Sequence, residues 1–151
     1  MGDGRDGGEN GMGAQMITGL AHVSIVVPDL DAAARELDAK YGLKIGAIEL
    51  NAEQGVRIAY VTLANAKIEL MEPARADSPV AKFLERNPHG GIHHFSLGVD
   101  DVAAATAQMQ GKGVRVLGDG RLQLNVHGER IAFVHPKDFL GALVELEEHK
   151  S

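Results

Sequence analysis

The chain has no cysteine and no tryptophan, and aromatic residues make up 4% of its 151 positions. Without thiols there is no disulfide, no thiolate nucleophile and no zinc–thiolate centre. With so few aromatics, the core must come from Val, Ile, Leu and Ala. Basic residues are short as well: 15 Lys and Arg stand against 21 Asp and Glu, a formal net charge of −6. A phosphate backbone rewards a basic face, so this balance argues against nucleic acid as the main partner. No apolar run approaches the roughly 20 residues that span a bilayer, so no membrane partner is expected. The opening "MGDGRDGGENGMGAQM" lacks the apolar stretch of a secretory signal and the Arg-rich amphipathic pattern of a transit sequence. Residues 1–16 read as a leader outside the fold, disordered or left from a tag, and the protein as cytoplasmic.

What the chain does have is a repeat. "GLAHVSIVVPDLDAAARELDAKYGLKI" begins at Gly19, and "GIHHFSLGVDDVAAATAQMQGKGVRVL" begins at Gly91. Laid together, Gly19 meets Gly91, His22 meets His94, Ser24 meets Ser96 and Asp29 meets Asp101. Each copy reads as an alternating strand, an Ala-rich helix ending near Gly42 or Gly113, and a short apolar strand. Further on, "GVRIAYVTLA" and "AKIELMEP" in the first half answer to "ERIAFVHP" and "GALVELEE" in the second. The expected fold is α+β: two βαβββ modules in tandem, residues 17–72 and 91–148. A linker at 73–90 joins them, and its middle, Ser78 to Arg86, is expected to form a short helix. The two half-sheets curve together into one cup-shaped mixed sheet with the helices outside.

Strand alternation then sorts the side chains. His22, Ser24 and Val26 share one face, with Val23, Ile25 and Val27 on the other. His94, Ser96 and Gly98 oppose Phe95, Leu97 and Val99 in the same way. On the closing strands Glu69 opposes Ile68 and Leu70, and Glu145 opposes Val144 and Leu146. The apolar faces seek the helices, so the polar faces converge in the hollow. A lone strand His or Glu ordinarily signals a satisfied or solvated side chain. Two of each at matched repeat positions do not, because four such groups buried without a partner are costly. Imidazole and carboxylate are both ligands for first-row divalent metals, and a cation resolves the cost. His93, beside His94, is expected on the helix side or in a loop. His89, His127 and His149 are expected on the surface, and His135 at a strand end near the entrance of the cup.

Several words carry a resemblance by their order: "HVSIVVPDLDAA", "EQGVR", "IELMEP", "DSPVAKFLE", "GGIHHFSLGVDD" and "FVHPKDFLGALVELEE". Over residues 17–148 the chain resembles the vicinal-oxygen-chelate, or glyoxalase-like, superfamily and more narrowly the methylmalonyl-CoA epimerases. The resemblance implies that His22, Glu69, His94 and Glu145 hold one divalent ion per cup, Co²⁺ by preference, with Ni²⁺, Mn²⁺ or Zn²⁺ also suited. It implies an acyl-CoA substrate, methylmalonyl-CoA, inverted by removal and return of the C2 proton, and a homodimer. Some epimerases carry Gln where Glu69 stands here, and a catalytic Glu directly after "EQGVR", where this chain has Ile58. Glu69 and Glu145 are therefore read as the acid/base pair. Gln54 or Glu53, in the "EQG" turn, is a further proton carrier or substrate contact. Gln54, His135 and Lys137 are expected to bind substrate, with Lys137 toward the coenzyme A phosphates, and Arg57, Arg121 and Arg130 as surface cations. Competing functions on the same cup are glyoxalase I, which uses the same two His and two Glu, and a non-catalytic binder of the bleomycin-resistance type. An extradiol-type dioxygenase is a third, against which the fourth ligand, Glu69, speaks.

Overall fold

A computed structural model describes residues 16–118 and 123–149. The expected leader, apart from Met16, and Arg121 lie outside the described residues. The elements are β1 (Ile17–Val26), α1 (Leu30–Tyr41), β2 (Glu49–Asn51), β3 (Val56–Thr62) and β4 (Lys67–Pro73), followed by α2 (Pro79–Arg86). The second half holds β5 (Gly91–Val99), α3 (Val102–Gly111), β6 (Gln123–Leu124), β7 (Arg130–Val134) and β8 (Val144–Glu148), with a 3₁₀ turn at Pro136–Asp138. The eight strands of the described residues form one curled sheet in the order β2-β3-β4-β1-β5-β8-β7-β6. At its centre β1 and β5 run antiparallel, and β4 and β8 flank them in parallel. The duplication read from the sequence is thus an approximate twofold about the β1–β5 seam.

Each helix begins just after a capping side chain. Asp29 and Asp101 cap α1 and α3, accepting from the backbone N–H of Ala32 and Ala104 at 3.0 Å. A second carboxylate, from the last strand of the same module, reaches each helix start. Leu30 N–H donates to Glu72 at 3.4 Å, and Val102 N–H donates to Glu148 at 3.0 Å. A negative charge at a helix N-terminus is favourable, and here it ties strand end to helix start in both halves. Gly42 closes α1 with φ 68°, a left-handed conformation that suits Gly. Ser78 caps α2, with Pro79 at the first helical position.

On the convex side, Leu30, Ala59 and Leu70 pack with Ile25, Leu37 and Ile68 under α1. Val99, Val102, Ala105, Val134, Val144 and Leu146 pack under α3. Each fully buried aliphatic side chain contributes about 1.5–3 kcal/mol, so these faces commit the helices to one side of the sheet. The concave side has its own apolar cluster, Val26, Val56, Ile58 and Met71, against Val80 of α2. The linker helix therefore covers one end of the cup.

The short strand expected after each helix is displaced along the chain, to β2 and β6, which complete the two βαβββ modules, and the stretches directly after Gly42 and Gly113 do not form it. Residues 42–48 are irregular, and Val116 makes a single bridge to Val134. In the second half the reason is local. The Arg115 N–H donates to the Asp138 carboxylate at 2.8 Å, and the guanidinium holds the same group at 2.8 and 3.1 Å. A side chain takes the bond that a strand partner would have made.

Candidate metal centre

Register builds the site. Across the central strands, Tyr60, Glu69, Ser24 and His94 lie side by side, one from each of β3, β4, β1 and β5. The neighbouring row is its twofold image: Phe133, Glu145, Ser96 and His22, from β7, β8, β5 and β1. In each row a small serine separates the carboxylate strand from the histidine strand, which leaves room for the long side chains to lean over it. All four expected ligands are buried, at 5–7% exposure. His22 Nε2 lies 3.5 Å from Glu69 Oε1 and 3.2 Å from Glu145 Oε1. His94 Nε2 lies 4.0 Å from Glu69 Oε1 and 3.7 Å from Glu145 Oε1. The structure thus gathers His22, Glu69, His94 and Glu145 around one point.

Hydrogen bonding leaves that cluster incomplete. Ser24 Oγ donates to Glu69 Oε1 and lies 2.9 Å from His94 Nε2, and Tyr60 OH donates to Glu69 Oε2 at 3.1 Å. Yet among the described residues His22 Nε2, Glu145 Oε1 and Ser96 Oγ are buried with no hydrogen-bond partner, the first two meeting only as an ion pair at 3.2 Å. Buried polar atoms are nearly always satisfied, so two facing ligand atoms held only by each other invite a cation between them. Two imidazoles and two carboxylates converging at these distances fit a divalent cation.

Electrostatics agree. In the metal-free protein burial pushes the His22 pKa down, but Glu145, Glu147 and Glu69 outweigh it and raise the imidazole to about 10. Burial raises the Glu145 carboxyl, and the contacts with His22 and His94 more than reverse it, leaving it lowered. Tyr60 is raised above its ordinary value, first by burial and then by the charge on Glu69, so it stays a neutral donor.

Three neighbours were not read as part of the site. Glu147 Oε1 sits 3.4 Å from His22 Nδ1, the outward nitrogen, and burial there is outweighed by His22 and His149, which hold Glu147 down at about 2. A carboxylate behind a ligating histidine fixes its ring and tautomer. Glu147 was legible in principle, since it lies two residues beyond Glu145 and so on the same face. Tyr60 carried the same period-2 signal from β3. His93 was expected away from the cup, but it lines it. Ser24 pairs with His94 and Ile25 with Ile92, so His93 is the extra residue of a bulge and alternation fails there. Its Nδ1 lies 2.9 Å from His94 Nδ1, and burial, then His94, lowers it to about 4.

The cup encloses about 370 Å³, and its walls pair these polar groups with Val56, Ile58, Met71, Val80 and Ile131. Gln54 lines the rim. His135 and Lys137 are not among the lining residues; His135 Nδ1 instead accepts the Lys137 backbone N–H at 3.1 Å, capping the 3₁₀ turn. Arg57 is engaged by Glu72 and Asp31. The three histidines expected on the surface, His89, His127 and His149, are all exposed; His127 also meets Glu49 at 3.2 Å and His149 meets Glu147 at 3.0 Å.

Comparison with known proteins places this geometry among relatives. Residues 21–133 match the Glyoxalase/Bleomycin resistance protein/Dioxygenase superfamily. The chain is 47% identical over 133 residues to the ethylmalonyl-CoA/methylmalonyl-CoA epimerase of Cereibacter sphaeroides, covering 88% of this chain and 99% of the relative. The crystal structure of methylmalonyl-CoA epimerase from Mycobacterium tuberculosis superposes with a TM-score of 0.82 at 34% identity, covering 93% of each chain. A Streptomyces coelicolor methylmalonyl-CoA epimerase variant in complex with 2-nitronate-propionyl-CoA superposes with a TM-score of 0.81 at 39% identity, covering 89% of this chain and 99% of that one.

Proposed function

The chain belongs to the glyoxalase/bleomycin resistance/dioxygenase superfamily and, within it, to the methylmalonyl-CoA epimerases, and from that premise we propose that it inverts C2 of methylmalonyl-CoA. The observation that carries the reading is the pair of mirrored rows, which sets two carboxylates, Glu69 and Glu145, on opposite sides of one centre. Inversion needs a proton taken from one face of C2 and returned to the other, and two acid/base groups facing each other meet that need.

His22, Glu69, His94 and Glu145 would hold the divalent ion, for which Co²⁺ is our first choice. Bound there, it supplies Lewis acidity toward the thioester and carboxylate oxygens of the substrate and orients both. The proton chemistry falls to the chain. One carboxylate takes the C2 proton as the C–H electron pair moves into the thioester carbonyl. The opposite carboxyl, already protonated, delivers its proton to the other face, so each turnover exchanges the protonation states of the pair. Ile58, at the position where some epimerases carry a catalytic Glu, cannot take part. It joins Val56, Met71 and Val80 in an apolar wall against the C2 substituent and excludes water from the carbanion. Gln54, at the rim, is placed to hydrogen-bond the acyl portion. His135 and Lys137 remain candidates for the coenzyme A chain beyond the cup. The same reading makes the protein a cytoplasmic homodimer in propionyl-CoA breakdown. In support, the chain has no cysteine, and among the described residues no helix is long and apolar enough to cross a membrane.

The test is deuterium uptake at C2 of (2R)- and (2S)-methylmalonyl-CoA in heavy water, with metal-free and Co²⁺-loaded protein. Metal-dependent uptake with inversion from both isomers is expected. No uptake with metal bound would refute the reading, and the hemithioacetal of methylglyoxal and glutathione would be the next substrate.

A further inference from the structure

The two rows match residue for residue except at one end. Tyr60 stands opposite Glu69, and its twofold counterpart, opposite Glu145, is Phe133. One carboxylate therefore faces a hydroxyl and the other a bare ring. The serines behave differently too: Ser24 donates to Glu69 Oε1, whereas Ser96 Oγ makes no hydrogen bond. Glu69 is thus gripped by hydroxyls at both oxygens, Oε1 by Ser24 and Oε2 by Tyr60 at 3.1 Å, while among the described residues Glu145 Oε1 takes no hydroxyl and meets only the imidazoles of His22 and His94, at 3.2 and 3.7 Å.

We propose that Tyr60 is a positioning residue that pins Glu69, and that this leaves Glu145 as the carboxylate that moves during turnover. The inference rests on the reading of Glu69 and Glu145 as the acid/base pair. A carboxylate held by two charge-assisted hydrogen bonds turns only by breaking them. Glu145 has no hydroxyl to break from at Oε1, and the imidazoles of His22 and His94 that face it face Glu69 Oε1 as well, so the hydroxyls alone distinguish the two carboxylates. Tyr60 is itself immobilised: the Lys67 ammonium lies 5.4 Å from its ring centroid, and the rings of His127 and His22 lie at 5.6 and 6.4 Å. By taking Oε2, it aims Oε1 at His22 and His94. Glu69 then works from a fixed place, and Glu145 leaves its resting place to meet the proton on its face of C2.

The test is a double-mutant cycle read by Co²⁺ affinity, measured by equilibrium dialysis without substrate, on the parent, Tyr60→Phe, Glu69→Ala and the double variant. Tyr60→Phe removes one oxygen and keeps the ring, and its melting curve confirms the fold. It is expected to weaken Co²⁺ binding about tenfold, the usual effect of losing a group that orients a ligand. In the Glu69→Ala background the same change is expected to do nothing, whereas a packing role would weaken both backgrounds alike. Phe133→Tyr places a hydroxyl opposite Glu145 and is expected to lower kcat about tenfold with KM kept and Co²⁺ affinity not weakened. Binding within about twofold of the parent in Tyr60→Phe, equal losses in both backgrounds, or undiminished kcat in Phe133→Tyr would each overturn the proposal. Should the parent fail to exchange the C2 proton while the Co²⁺ cycle behaves as expected, the epimerase reading falls and the pinning of Glu69 stands.

Discussion

Removing the cation should lower the melting temperature, and by an amount that the centre sets. His22, Glu69, His94 and Glu145 are drawn from four strands and are 5–7% exposed, so the unfolded chain offers no equivalent site. A ligand that binds only the folded state stabilises it by about 2.7 kcal/mol at a free concentration 100-fold above Kd. For a domain of this size each kcal/mol moves Tm by about 2–4 °C, so saturation at that level raises Tm by about 5–11 °C. The concentration dependence is the sharper check: every tenfold increase in free Co²⁺ adds about 1.4 kcal/mol, or about 3–6 °C. Scanning calorimetry of chelator-treated protein across a Co²⁺ series measures both. A Tm that ignores Co²⁺, or a slope that survives in His22→Ala, would refute the reasoning, because His22 Nε2 is the donor atom within 3.5 Å of both carboxylates.

Glu69→Gln and Glu145→Gln each remove one half of the acid/base pair, and turnover is expected to fall by about 10²–10⁴ in both, as for loss of a general base; full epimerase activity in Glu69→Gln with metal bound would remove Glu69 from the mechanism. Glu148→Ala strips the start of α3 of a buried acceptor that Val102 N–H uses at 3.0 Å. It is expected to cost about 1–3 kcal/mol in urea unfolding, and a change below the lower limit would show that the contact is dispensable. Asp138 is held at about 2 by the Arg115 guanidinium and N–H. Because its folded pKa lies below the unfolded one, the clamp contributes fully above about pH 4 and is lost as pH falls toward 2. Parent and Asp138→Ala should therefore differ in Tm at pH 5 and converge by pH 2, and parallel curves would contradict this.

The sequence alone carried the duplication, the α+β class and the four converging side chains, and the reason is periodicity. A strand in a sheet buried on one side must alternate, so His22, Glu69, His94 and Glu145 declared their shared face without coordinates. The start of the linker helix was equally legible, since Ser78 is a local cap whose effect needs no distant partner, and Asp29 and Asp101, read only as matched positions of the repeat, cap α1 and α3 in the same way. Tertiary structure decided what depends on register and on breaks in the period. The bulge at Ile92–His94 turned His93 into the cup, and alternation has no way to announce an inserted residue. Asp138 took the backbone bond that would have extended a strand at Arg115, a contact across 23 positions. The pairing of Tyr60 with Glu69 and of Phe133 with Glu145 is a fact of cross-strand register, which composition and period leave open. Repetition in the chain made two equal carboxylates visible; only the folded sheet shows that their neighbours make them unequal.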